Sequence, residues 1–173
     1  EWKRFYDQCI VAYPPGEPNP VIAKARRIQE DYVQVLTRDD GTTKNISLID
    51  KDKIHRNSLQ VIKQYTVSSG TRTNRYDVTI LVNGLPLVHV ELKRRGVKLR
   101  EAFNQIIRYH RESFHSEGGD GLFEYVQLFI ISNGTQTKYY SNTTRLSHTK
   151  NSGKTRGGKV GSQSYEFTMW WTD

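Results

Sequence analysis

"DVTILVNGLPLVHVELKRRG", residues 77–96, decides how the rest of the chain reads. Two apolar, β-branched runs flank Asn83-Gly84, a dipeptide that signals a tight hairpin because both residues tolerate positive φ. Strands of this composition belong in a core, yet Asp77 opens the first, and Glu91 and Lys93 sit two apart at the end of the second. Residues two apart on a strand share a face, so Glu91 and Lys93 are neighbours. The position of Asp77 depends on the turn. In a plain two-residue turn Val82 faces Leu85, Asp77 faces Val90, and the two carboxylates lie on opposite faces. A three-residue loop or a single bulge changes that parity and brings Asp77 opposite His89 or Glu91. Opposed Cβ atoms are then about 5 Å apart and diagonal ones about 7 Å, a separation that suits two carboxylates sharing a divalent cation. If the acids work together, an irregularity is expected near Asn83 to Pro86.

Two adjacent carboxylates repel and need a countercharge. Mg²⁺ supplies one, because it takes oxygen ligands and keeps several waters. A lysine beside the ion can orient an attacking water or stabilise charge on a phosphate. By spacing alone, the same charges also read as solvent-facing strand ends paired with nearby Lys and Arg.

Working outward, "LREAFNQIIRYHRESF", residues 99–114, predicts a helix. Leu99, Phe103, Ile106, Ile107, His110 and Phe114 form one apolar stripe. "SEGGDG" ends it. The run "LFEYVQLFIISNG" then reads as a strand covered on both faces. Strand, helix, strand in that order implies a crossover and a parallel pair. "TKYYSN" reads as a further strand. Upstream, Trp2, Phe5, Tyr6, Cys9 and Ile10 fall at helical spacing, and "PPGEPNP" breaks regular structure. "IQEDYVQVLTRDDGTTKNISLID" reads as two strands around Asp40-Gly41. "SLQVIKQYTV" is followed by a polar stretch, "SSGTRTN", expected as a loop. Residues 141–163 are rich in Ser, Thr, Lys and Gly and are expected to be a mobile loop or linker. "YEFTMWW" after it reads either as a last strand or as an exposed anchor.

Composition bounds the function. The chain has 173 residues, enough for one domain with a single core. Its 26 Lys and Arg against 18 Asp and Glu give a formal charge of +8, which suits a polyanionic partner, nucleic acid ahead of a membrane surface. The single cysteine, Cys9, excludes an internal disulfide, and no Cys/His cluster has zinc spacing. No signal peptide is recognisable and no apolar run approaches the roughly 20 residues of a membrane span. A cytoplasmic protein is expected. "SGKT", residues 152–155, lacks the glycine that a P-loop needs at position 148, where His148 stands. ATP binding by this chain is therefore not expected.

Asp77, followed across a hairpin by Glu91-Leu92-Lys93, resembles the PD-(D/E)xK nuclease signature, and "QIIRY" (105–109) resembles the QxxxY element of its RecB-like branch. Longer stretches carry the resemblance further. Residues 75–114 and 122–142, with "LTRDDGTTKNISLIDK" and "FTMWWTD", are similar to the N-terminal nuclease domain of type I restriction enzyme R subunits. The resemblance covers most of the chain. It implies an α/β, restriction-endonuclease-like core with a mixed sheet flanked by helices, residues 1–173 forming one nuclease domain of a larger helicase-containing subunit. It implies Asp77, Glu91 and the Leu92 carbonyl as Mg²⁺ ligands, Lys93 as the catalytic lysine, and Gln105 and Tyr109 lining the edge of the site near DNA. The implied partners are double-stranded DNA and the methylation and specificity subunits of a restriction-modification complex. ATP would serve only motor domains that this chain lacks. Tyr76 stands where the strict signature has Pro, and a first-helix Glu seen in some relatives is not assignable here.

Arg94, Arg95, Lys98 and Arg100 follow the motif and could meet phosphates or form a solvated basic turn. His89 and His110 read as packed or surface histidines. Two other functions remain open: a stand-alone repair or junction nuclease, and a non-catalytic DNA-binding module of the same fold. Asp77, Glu91 and Lys93, all intact, argue against the second.

Overall fold

A computed structural model of the chain describes residues 1–13, 16, 17, 19–69, 72–114, 121–152 and 165–171. The hairpin of residues 77–92 lies at the heart of a six-stranded mixed sheet. Its strands are β3 (Leu59–Ser69), β4 (Arg72–Val82), β5 (Leu85–Leu92), β6 (Leu128–Ser132), β7 (Thr137–Ser141) and β8 (Met169–Trp170), in that spatial order. All neighbours are antiparallel except β5 and β6, which run parallel and are joined through helix α3 (Leu99–Glu112). A separate hairpin, β1 (Val33–Thr37) with β2 (Thr43–Ser47), turns at Asp40-Gly41 as the sequence predicts. The expected mixed α/β sheet with flanking helices is therefore present.

The turn settles the parity question. Asn83 and Gly84 both have positive φ, 51° and 86°, the backbone that a two-residue turn between twisted strands requires. Val82 pairs with Leu85 and Leu81 with Pro86, but Ile80 then pairs with Val88, so Leu87 is extra. This single bulge lies one residue beyond the expected Asn83–Pro86 window. It flips the alternation, and the register Val78↔Val90, carried one step further, sets Asp77 opposite Glu91. Thr79 and His89, next on that face, are buried.

Helix α3 covers the face that holds the acids. Its buried residues Leu99, Phe103, Ile106, Ile107 and His110 match the expected stripe, and Tyr109 joins them. They pack with Phe114, Phe129 and Ile131 in the main core. Burying side chains as large as Phe103 and Ile106 contributes about 1.5–3 kcal/mol each, so the sheet and α3 hold each other without needing intrinsic helix propensity.

Several expectations change. The helical spacing of residues 2–10 is real: Trp2–Phe5 forms α1, and Tyr6–Val11 continues it as a wider π-type turn, with Phe5 and Ile10 buried. A helix missed in the sequence, α2 (Pro20–Gln29), takes up the start of the stretch read as strand. Its signal was present: the Asn19 side chain accepts from the Val21 and Ile22 N–H groups, and Pro20 sits at the first turn. Of the polar stretch 68–74, expected as a loop, residues 68, 69 and 72–74 are strand, because β3 and β4 stay paired out to Ser69↔Arg72; a ladder needs only backbone partners, not burial, and residues 70 and 71 lie outside the described residues. In "LFEYVQLFIISNG", Leu122–Tyr125 is a 3-10 turn and only Leu128–Ser132 is strand. That strand is not covered on both faces, since burial alternates: Phe129 and Ile131 are buried, Leu128 and Ile130 only half so. The stretch expected as linker from 141 begins instead as helix α4 (Asn142–Ser152), anchored where the Asn142 side chain donates to the Val126 carbonyl. Residues 153–163, including most of "SGKT", lie outside the described residues, as do residues 116–120 of "SEGGDG". In "YEFTMWW" the reading as a last strand holds, since β8 pairs with β7, while Met169, Trp170 and Trp171 stay exposed. No helix among the described residues is long and apolar enough to cross a membrane.

Candidate active site

The end of β4, the end of β5 and one face of α3 enclose a cleft of about 680 Å³. Asp77, Glu91, Leu92, Lys93, Gln105 and Tyr109 all line it, as does Arg94. The fold thus brings together every residue of the expected core site. Arg95 and Lys98 are exposed and are not among the lining residues. Arg95 lies alongside Gly134, and Lys98 occupies the N-cap position of α3 without a side-chain capping bond. Arg100 is drawn away from the cleft, over the rings of Phe103 and Tyr165.

Each functional side chain is held by its neighbours. Asp77 Oδ2 accepts from the Leu92 N–H at 2.9 Å, which ties the acid of β4 to the last residue of β5. Glu91 is fully buried, and Lys93 Nζ meets its Oε1 at 2.8 Å. The same ammonium donates to Gln105 Oε1 at 2.5 Å. Gln105 in turn bonds Tyr109 across one helical turn, and the Tyr109 hydroxyl donates to the Arg75 carbonyl at 2.8 Å. The chain Glu91–Lys93–Gln105–Tyr109–Arg75 therefore runs from the acid pair to the backbone of β4. Tyr109 is pushed up to about 12, first by burial and then by the negative Glu91 and Asp77, against the pull of its Gln105 bond. A phenol so held keeps its proton at neutral pH, so Tyr109 acts as a fixed donor and not as a base.

Among the described residues no group of three His, Cys, Asp or Glu is placed to hold a metal ion. Three carboxylates line the cleft, Glu101 on α3 and the pair Asp77 and Glu91 on one face of the sheet, and Glu91 has a buried oxygen, Oε2, with no hydrogen-bond partner. An orphaned anionic oxygen in a dry site is costly. A hard, oxygen-seeking cation that keeps several waters matches such a sparse set, whereas zinc, which prefers His and Cys, does not.

Sequence reasoning missed part of the cleft. Thr66, Asn74, Arg75 and Arg108 also line it. Arg108 follows Gln105 by three on α3, so helical spacing could have found it. Gln64 carries a different signal, visible only in three dimensions. It adopts φ 53° in the middle of β3, between the pairs Lys63↔Val78 and Tyr65↔Tyr76, and so lies across from Asp77. A left-handed residue other than Gly costs about 1–2 kcal/mol, and here that strain falls directly opposite a site carboxylate. A second, smaller cleft lined by Lys63 and Gln64 meets the first at Asp77, Leu92, Lys93 and Arg94.

With this geometry in place, comparison with known proteins is informative. Residues 18–148 match the family model described as the type I restriction enzyme R protein N terminus. The chain is 52% identical over 171 residues to the type I restriction enzyme EcoprrI endonuclease subunit of Escherichia coli, covering 99% of this chain and 48% of that protein. It is 48% identical over 121 residues to the type I restriction enzyme SauMSSORF170P endonuclease subunit of Staphylococcus aureus strain MSSA476, covering 70% of this chain and 12% of that protein. The chain thus spans about half the length of the first relative and a small part of the second.

Proposed function

Since the chain belongs to the family of type I restriction enzyme R protein N termini, we propose that it is the Mg²⁺-dependent DNA endonuclease domain of such a subunit. The observation that carries this reading is the Leu87 bulge, which sets Asp77 opposite Glu91 within a cleft that also contains Lys93. The names of the relatives, both endonuclease subunits, support it.

In this reading Asp77, Glu91 and the Leu92 carbonyl hold the ion, which when bound supplies a Lewis acid for a phosphoryl oxygen and an activated water. Asp77 is oriented in advance by its bond to the Leu92 N–H. A water oxygen attacks phosphorus, a P–O bond of the DNA strand breaks, and the leaving oxygen takes up a proton. Lys93 lies beside Glu91 and stabilises the negative charge that builds on the phosphate. Gln105 and Tyr109 fix the ammonium in place, and Arg94 at the rim meets a neighbouring phosphate. Translocation along DNA and ATP hydrolysis belong to other parts of the subunit, and sequence reading to separate specificity and methylation subunits in the cytoplasm.

The chain itself is then a weak, sequence-blind DNA binder, because backbone contacts from Lys and Arg give salt-dependent affinity without base readout. Titrating it against two unrelated duplexes at two salt concentrations should give equal affinities that fall together as salt rises. A strong preference for one duplex that persists at high salt would overturn the proposal and favour a stand-alone nuclease with its own recognition.

A further inference from the structure

His89 is fully buried two residues before Glu91, and neither of its ring nitrogens has a hydrogen-bond partner. Its Nε2 stands 3.5 Å from Glu91 Oε2, which is also buried and without one. Thr79, the cross-strand partner of His89, carries another such atom, Oγ1. Orphaned polar atoms in a dry core are costly, and native interiors seldom keep them without a reason. The ring cannot swing away to find other partners. Tyr76, Tyr109, Phe114 and Phe129 surround it, mostly edge-on, with centroids between 5.5 and 6.2 Å.

We propose that His89 is the positioning residue for Glu91, donating Nε2–H to Oε2 while Thr79 Oγ1 satisfies Nδ1. The direction follows from the groups themselves. A carboxylate oxygen only accepts, so a bare Nε2 facing it would set two lone pairs against each other. Closing the gap from 3.5 Å to about 3.0 Å completes an N–H···O bond. Lys93 already holds Oε1, so a donor on Oε2 fixes both oxygens and with them the plane of the carboxylate. Each oxygen keeps a second lone pair for a cation. Groups that orient a ligand from behind in this way tune metal affinity about 10–100-fold. The inference rests on the reading of Glu91 as a ligand.

Mn²⁺ titration of the full-length subunit tests it, alongside DNA cleavage by the assembled enzyme. His89→Leu removes the donor and is expected to weaken Mn²⁺ binding about 10–100-fold and to lower kcat. His89→Gln, whose amide N–H reaches the Nε2 position, should recover most of both losses. Parent-like Mn²⁺ affinity in His89→Leu overturns the proposal, as does equal weakening in the Leu and Gln variants. If His89→Leu does not fold, Thr79→Val replaces it. Weakened Mn²⁺ binding then supports the relay, and parent-like affinity overturns it. Asp77→Ala separates the two claims: if it too leaves Mn²⁺ affinity unchanged, the cation reading itself fails.

Discussion

Replacing Lys93 with Ala is expected to lower DNA cleavage by the assembled enzyme about 10³-fold, the scale on which a preorganised charge at a reacting centre acts. Asp77→Ala and Glu91→Ala should abolish cleavage and the binding of the divalent cation, because each removes half of the acidic donor set. Gln105→Ala and Tyr109→Phe should cost less, about 10–100-fold, since they hold Lys93 without touching the ion. ATP hydrolysis should stay at the parent level in all five, because the proposed function places it in other parts of the subunit. Cleavage assays on the reconstituted enzyme, with melting curves to confirm folding, read this directly. Parent-like cleavage by Lys93→Ala would remove that residue from the chemistry, and a uniform loss across all five variants would mean that the hydrogen-bonded chain is structural.

The largest effect on stability is expected at Tyr76, next to the first acid. Its ring is fully buried and meets Tyr109, Phe114 and Phe123 at 4.8, 5.2 and 4.6 Å, and its hydroxyl bonds Ser113. Tyr76→Ala leaves an aromatic-sized cavity and should cost about 3–5 kcal/mol, lowering Tm by on the order of 10 °C in a domain of this size. Tyr76→Phe keeps the ring and should cost about 1 kcal/mol. Thermal melts of the two variants decide it, and an Ala variant melting alongside the Phe variant would mean that the cluster collapses to fill the space. This packing also explains the residue found where the strict nuclease signature has Pro: in this chain the position before Asp77 pins β4 onto α3.

Much of this was legible in the sequence because its signals are local. Asn83-Gly84 forces a hairpin, the stripe from Leu99 to His110 forces a helix, and the acids at the strand ends ask for a bulge. The bulge itself could be required but not placed, since Leu87 resembles any other apolar strand residue. α2 was overlooked because Asn19 and Pro20 sit in a stretch dominated by breakers, and a cap is recognised only once a helix is sought. Gln64 had no sequence signal, and His89 read as a packed or surface histidine with nothing to link it to Glu91. The backbone of the first is unusual and the burial of the second complete only because of what faces them across the sheet.

The central claim is that Asp77 and Glu91 jointly hold a divalent cation. Anomalous diffraction from Mn²⁺-soaked crystals of the full-length subunit tests it most directly. The account predicts one peak in this cleft, about 2.1 Å from an oxygen of each carboxylate. Mn²⁺ ordered elsewhere, with no peak between Asp77 and Glu91, would contradict it.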